Sequence, residues 1–432
     1  MEYPHAVKVL EQCQIAPPSG SVPQTSLRLT FFDLVELGNL IWSPQSAMPE
    51  IIYFEGDSIS FTVAESNFSF NHLSGNHPRD ANEFAPLTTH LLPRSSTTEA
   101  VQYPLLALQV TLFPNSGICV GLTFSHVATD GMSINHFIRF WASVCSNLGG
   151  ETTISLPSLD RSTIIDPHGI ETAYLNYLKK MNISQRSFIL PATPTDPVHD
   201  KVVVTFIMDF QNIEKLKKWV LTKIFEKKKK KPLLILTSVG VICAYIWVCL
   251  IKAFESVKVG NNSREHILIP VDCRTRLDPA LPVSYFGNCL LGCVTSINKN
   301  VLVGEDGIVI AAKMIGKAIQ TTCNRVLDGA ENLLDNFSSL ASERLLGISG
   351  SPKLGLYDSN FGWGTPKKFE MISAYDDYGM TTLSECGDKA DRGMEISVTL
   401  KKLEMDAFAS IFHYTLNNLL KASSAKPLLS KY

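Results

Sequence analysis

A chain of 432 residues is too long for one ordinary hydrophobic core, so two domains of comparable size are expected. Hydrophobic residues at 45% and charged residues at 19% fit a globular protein. With 39 Lys and Arg against 41 Asp and Glu, the formal net charge is -2, which offers no basic face and argues against nucleic acid as a partner.

The first five residues, Met1-Glu2-Tyr3-Pro4-His5, lack the basic and then apolar pattern of a secretory signal. The ten cysteines form no CxxC pair, so reduced thiols in a cytoplasmic protein are expected. Cys289 and Cys293 lie four apart without a histidine-rich partner motif, which favours packing over metal binding.

The run Gly117-Ile118-Cys119-Val120-Gly121-Leu122-Thr123-Phe124 is uncharged and β-rich, which predicts a strand buried on both faces. After it the apolar period changes from two to 3.6. Met132, Phe137, Phe140, Trp141 and Val144 recur at helical spacing until Gly149-Gly150, so Asp130-Gly131 falls where strand gives way to helix. His126 stands at the strand end and Asp130 four residues on. Imidazole takes and returns a proton near neutrality, with an ordinary pKa of about 6.5. Asp130 has three open roles at that spacing: holding the ring, capping the helix, or tying the turn to a distant arginine. Taken alone, such a pair is more often a satisfied polar residue beside an ordinary helix cap. His136 adds no third ligand in register, so no metal site is expected.

Three prolines in Pro191-Ala192-Thr193-Pro194-Thr195-Asp196-Pro197 exclude helix and place the boundary between an N-terminal domain, 1–190, and a C-terminal domain, 201–432, with residues 191–200 crossing over. Val202 to Ile207 opens the second half as a strand. From Pro232 to Ile251 no residue is charged, and the run follows Lys227 to Lys231, a length and flank that also suit a membrane span. Thr237, Ser238, Gly240 and the early Pro232 weigh against a span, as does the lack of a second one. Near the end, Ile396, Val398 and Leu400 alternate as a strand before a helix from about Leu403 to Leu420. The pattern is α/β, with mixed sheets and covering helices.

Three phrases dense in glycine and aromatics stand in order: Phe124 to Gly131, Ser284-Tyr285-Phe286-Gly287-Asn288-Cys289, and Asn360-Phe361-Gly362-Trp363-Gly364. Together they resemble the plant BAHD acyltransferases, and within them the branch that acylates anthocyanins and other phenolic glycosides. His126 and Asp130 match the HxxxD motif, Tyr285 to Cys289 the YFGNC motif, and Asn360 to Gly364 the DFGWG motif with Asn in place of Asp. Leu29-Thr30-Phe31-Phe32-Asp33, Gly75-Asn76-His77-Pro78-Arg79 and Ala244-Tyr245-Ile246-Trp247 also resemble that branch.

The resemblance implies two chloramphenicol-acetyltransferase-like α/β domains with a channel between them, and a segment near 366–386 crossing back to the first. His126 would lie in the channel as general base for direct transfer from acyl-CoA, malonyl-CoA favoured, to a sugar hydroxyl of a phenolic, flavonoid or anthocyanin glucoside. Acyl-CoA is then a co-substrate, no cofactor is bound permanently, and a monomer without nucleic-acid or membrane partners is expected. The Ala-Tyr-x-Trp phrase makes the uncharged run a buried helix and the lysines a solvated loop. Asp130 would pair with an arginine of the Arg274-Thr275-Arg276 segment, with Arg274 and Arg276 not separated by sequence.

Gly362, Trp363 and Gly364 would support the CoA end of the channel, and Ser349 and Ser351 are candidate oxyanion donors. A malonyl carboxylate needs a cation, for which Arg79, Arg161 and Lys353 are candidates. Two departures stand out. The segment after residue 35 is short, as though a helix were missing, which would expose apolar surface. Asn360 would leave a family arginine without its counter-ion, a threat to folding more than to chemistry. The rival readings are a noncatalytic CoA-binding relative and a hydroxycinnamoyl transferase. A serine hydrolase is disfavoured, since Gly347-Ile348-Ser349-Gly350-Ser351 breaks the GxSxG pattern at its last position.

Overall fold

The computed structural model describes residues 7–35, 50–91, 95–96, 101–102, 104–147, 150, 152–180, 200–228, 236–258, 263–340, 343–371, 380–388 and 390–424. Among these, two principal sheets organise the chain. The smaller has four strands in the order Val7–Ile15, Ile59–Ser66, Leu106–Phe113 and Gly117–Phe124, the middle pair parallel and the outer pairs antiparallel. The strand and the helix expected on either side of His126 both form, as Gly117–Phe124 and Gly131–Ser146.

That strand is not buried on both faces, however: only Gly121 is buried along it. It is the edge strand of its sheet, so one side of its hydrogen-bonding frame and part of one face remain open. Edge position depends on tertiary pairing and leaves no mark in the local pattern.

The larger sheet has seven strands in the order Leu290–Asn298, Arg264–Asp272, Leu345–Gly350, Met380–Glu385, Met394–Lys401, Lys201–Met208 and Arg79–Asp80. The last comes from the first half of the chain and pairs antiparallel with Val202 and Val203. Arg79, fully buried, fixes this docking through an ion pair to Glu370 at 2.7 Å and a hydrogen bond to the Leu73 carbonyl at 2.8 Å. Of the segment 366–386, Lys367 and Lys368 reach Asn71 and Asn76, but Met380–Glu385 is a strand inside the seven-stranded sheet.

The uncharged run becomes the helix Ser238–Ser256, capped by Thr237 through Gly240 N–H at 3.0 Å. It is long and apolar enough to cross a membrane, but its apolar residues lie inside the protein, and every residue from Val241 to Cys249 has zero exposure. It packs against the helices Gly307–Asn324 and Lys402–Ser424. A helix buried all round must be apolar all round, which is why it imitates a span. Lys227 and Lys228 continue the helix Phe210–Lys228 instead of forming a loop, and 229–231 lie outside the described residues, as does the stretch 191–199 of the expected linker.

A second core cluster draws on both halves. Leu29, Phe31, Phe32 and Val127 pack with Tyr174, Cys273, Tyr285 and Cys289, directly behind the His126 turn.

Candidate active site

His126 sits on a turn closed by Ala128 N–H to the Ser125 carbonyl at 3.0 Å, and Ser125 N–H is bonded to the Leu105 carbonyl at 2.9 Å. Its side chain is exposed, its ring 6.3 Å from that of Phe124, while Val127, Ala128, Thr129 and Asp130 are buried. The main chain is therefore fixed on the protein side and the imidazole faces outward.

Asp130 takes two of the three roles left open. One oxygen, Oδ1, accepts from Ser133 N–H at 3.0 Å and caps the helix. Arg274 donates through Nη2 to Oδ1 and through Nη1 to Oδ2, both at 2.9 Å, and Cys289 N–H reaches Oδ2 at 3.0 Å. A carboxylate offers about four lone-pair sites. All are used by these donors, so the third role, holding the imidazole, is closed to Asp130.

The arginine is Arg274. Arg276 is exposed and bonds the Asp272 carbonyl instead. Arg274 also meets Asp272 at 2.9 Å and stands over the Tyr285 ring at 5.5 Å. Burial alone would lower the pKa of this guanidinium, but Asp130 and Asp272 outweigh it and hold it above its ordinary value.

Ser133 ties the helix start to the YFGNC loop. Its hydroxyl lies 3.0 Å from the carbonyls of Tyr285 and Gly287 and accepts from Arg274 Nη2 at 2.8 Å and from Gly287 N–H at 3.2 Å. Behind the loop lies a second buried carboxylate, Asp33. It accepts from Thr30 N–H at 2.8 Å, from Asn288 Nδ2 at 2.9 Å, and from Arg161 Nη1 at 3.0 Å. Asn288 Nδ2 in turn lies 2.8 Å from the His126 carbonyl. Sequence reasoning gave Asp33, Ser133 and Asn288 no role. Their signal was membership of the LTFFD and YFGNC phrases, or, for Ser133, the third position after an N-cap.

The NFGWG phrase meets the far part of the same helix. Phe361 stands edge-on to Trp141 at 4.8 Å, and Trp363 stacks on Phe361 at 5.8 Å. Asn360 is exposed, and its Oδ1 accepts from the amides of Gly362 at 2.8 Å and Gly364 at 3.2 Å. Both glycines have positive φ, which suits residues without a Cβ. The buried guanidiniums of Arg79, Arg274 and Arg344 pair with Glu370, Asp130 and Glu265, whereas the half-buried Arg139, on the helix that Phe361 meets, has a buried Nε without a hydrogen-bond partner.

Other expected residues fall elsewhere. Ser349, inside a strand, has its hydroxyl 2.9 Å from Thr382 Oγ1, because the register sets these two side by side. Ser351 Oγ accepts from Lys353 N–H at 3.3 Å. The first hydroxyl is thus engaged within the sheet and the second within its own turn. Arg79 and Arg161 are held in buried ion pairs, and Lys353 is exposed. A half-open apolar cavity of about 430 Å³ lies between the small sheet and the helix, lined by Phe61, Val110, Val120, Trp141, Phe361 and Trp363 among others, but not by His126.

The Transferase family profile matches residues 52–415. The chain belongs to this family, the BAHD acyltransferases, and is an acyltransferase. It is 35% identical to malonyl-coenzyme A:anthocyanin 3-O-glucoside-6''-O-malonyltransferase of Dahlia pinnata, over 94% of this chain and 96% of that protein. It is 34% identical to phenolic glucoside malonyltransferase 1 of Nicotiana tabacum, over 95% and 99%. Among solved structures, vinorine synthase superposes with a TM-score of 0.64 at 18% identity, covering 93% of this chain and 96% of that one. This likeness supports the chloramphenicol-acetyltransferase-like α/β fold. The Dahlia alignment runs over 462 columns but includes only 94% of these 432 residues, so more than fifty columns have no counterpart in this chain.

Proposed function

We propose that this acyltransferase moves an acyl group, malonyl favoured, from CoA to a sugar hydroxyl of a phenolic, flavonoid or anthocyanin glucoside, with His126 as general base. The observation that carries this reading is the division of labour in the HxxxD turn: Asp130 is saturated by its cap, Arg274 and Cys289, while the imidazole of His126 is presented outward.

A sugar hydroxyl becomes an effective nucleophile as a base removes its proton during attack, a contribution of about 10²–10⁴-fold. The oxygen then bonds to the thioester carbonyl carbon, the carbonyl becomes an oxyanion, and its collapse breaks the carbon–sulfur bond. The CoA thiolate takes the proton back from the imidazolium. No acyl-enzyme is needed.

Support for malonyl as donor comes from the two relatives at 34% and 35% identity, which are named malonyltransferases. Of the three candidate cations, Lys353 is the exposed one, on a turn whose Leu354 carbonyl accepts from Asn135 of the helix behind Asp130. The alignment columns without a counterpart in this chain agree with a shortened sequence. A noncatalytic role is disfavoured because the relatives over nearly the whole chain are named transferases.

The test is turnover of malonyl-CoA and hydroxycinnamoyl-CoA with a panel of phenolic glucosides. Acylated product from the malonyl donor supports the reading. Product from hydroxycinnamoyl-CoA alone would reassign the donor.

A further inference from the structure

A general base works only if its ring is aimed, and Asp130 has no lone pair left for that task. Besides the local turn, side-chain atoms from the other half of the chain fix the His126 main chain. Asn288 is 2% exposed, and its Nδ2 lies 2.8 Å from the His126 carbonyl, 3.2 Å from the Val127 carbonyl and 2.9 Å from Asp33 Oδ1. All three neighbours are acceptors, so the amide nitrogen, and not the amide oxygen, must face them.

Asn288 is itself anchored. Its main-chain N–H donates to the same Asp33 Oδ1 at 3.2 Å. Asp33, with zero exposure, is held from behind by Thr30 and Arg161. A relay thus runs from Arg161 through Asp33 and Asn288 to the backbone of His126. It joins residues 255 and 162 positions apart in sequence.

We infer that Asn288 is the positioning residue for His126, with Asp33 as its anchor, so that the YFGNC motif aims the base through its main chain. The inference rests on His126 being the base. Asp130 and Arg274 hold the helix side of the turn, and Asn288 holds the histidine itself. Loss of the amide frees two adjacent carbonyls and lets the turn rotate, and a shift of about 1 Å at a catalytic group costs up to roughly 10²-fold in rate.

The test combines kinetics with hydrogen exchange on Asn288→Ala and on Asn288→Ser, which keeps a small polar group in the buried position and lowers the folding cost. Expected are a kcat reduced about 10- to 100-fold, a KM for acyl-CoA within about twofold of the parent, and faster amide exchange confined to residues 125–130. Unchanged kcat and unchanged exchange in either folded variant would overturn the inference. So would a loss of acyl-CoA binding together with faster exchange throughout, which marks a general structural role. If the parent chain turns over no donor, the functional reading fails, while local exchange at 125–130 still decides whether Asn288 fixes the turn.

Discussion

Asp130 and Arg274 form a two-pronged ion pair, both contacts at 2.9 Å, between residues 144 positions apart and almost wholly removed from water. It joins the HxxxD turn to the segment leading into the YFGNC loop, and each charge is the other's main partner away from water. Replacing Asp130 by Ala leaves a buried guanidinium without its main counter-ion, which typically costs about 3–5 kcal/mol. Denaturant unfolding of Asp130→Ala is therefore expected to show a large loss of stability along with lost activity. Retained stability with normal turnover would contradict this role.

The two arginines of the 274–276 turn are expected to differ sharply. Arg274→Ala strands Asp130 and falls in the same range as loss of its partner, about 3–5 kcal/mol. Arg276→Ala removes an exposed side chain and changes stability by no more than about 0.5 kcal/mol. Comparing the two midpoints in urea checks the assignment.

Asn360 offers a test in the opposite direction. Its Oδ1 accepts two amide hydrogens at the surface, and a carboxylate accepts them equally well. Restoring the family residue with Asn360→Asp is expected to alter stability by less than about 0.5 kcal/mol. Asn360→Ala, which loses both bonds, is expected to cost about 1 kcal/mol. A gain of several kcal/mol in Asn360→Asp would show that a buried arginine does seek that charge.

Alkaline pH probes the cluster behind the site. Burial raises the pKa of Tyr285, with the Asp33 charge adding to it, and burial also raises those of Tyr174, Tyr245 and Tyr357. An unfolded tyrosine ionises near pH 10, so the folded chain retains protons that the unfolded chain releases. The stability these groups contribute is complete below about pH 10 and declines as pH rises above it. The share of tyrosinate absorbance that these four buried rings supply should therefore appear together with loss of structure by circular dichroism. Ionisation of all tyrosines in a folded protein would contradict the packing.

Much of this architecture was legible in local pattern. The change of period at Asp130 located both the strand Gly117–Phe124 and the helix Gly131–Ser146, and alternation at Ile396, Val398 and Leu400 marked the strand Met394–Lys401. Partnerships were less legible. The choice of Arg274 over Arg276 depends on which of two near neighbours points inward, and the Asp33–Asn288–His126 relay depends on three segments meeting in space. Edge position hid the partial exposure of the strand, and full burial made the helix Ser238–Ser256 imitate a membrane span. Ser349 looked like a free donor because the sheet register that pairs it with Thr382 is not encoded within its own strand.

The most direct test of His126 as the base of a glucoside acyltransferase is turnover by the purified protein and by His126→Ala, with malonyl-CoA and a panel of phenolic and flavonoid glucosides, following CoA release and product mass. Acylated glucoside is expected from the parent chain, with a loss of about 10²–10⁴-fold or more in the folded variant. Equal rates from the two proteins, or a folded parent that yields no acylated product, would contradict that role.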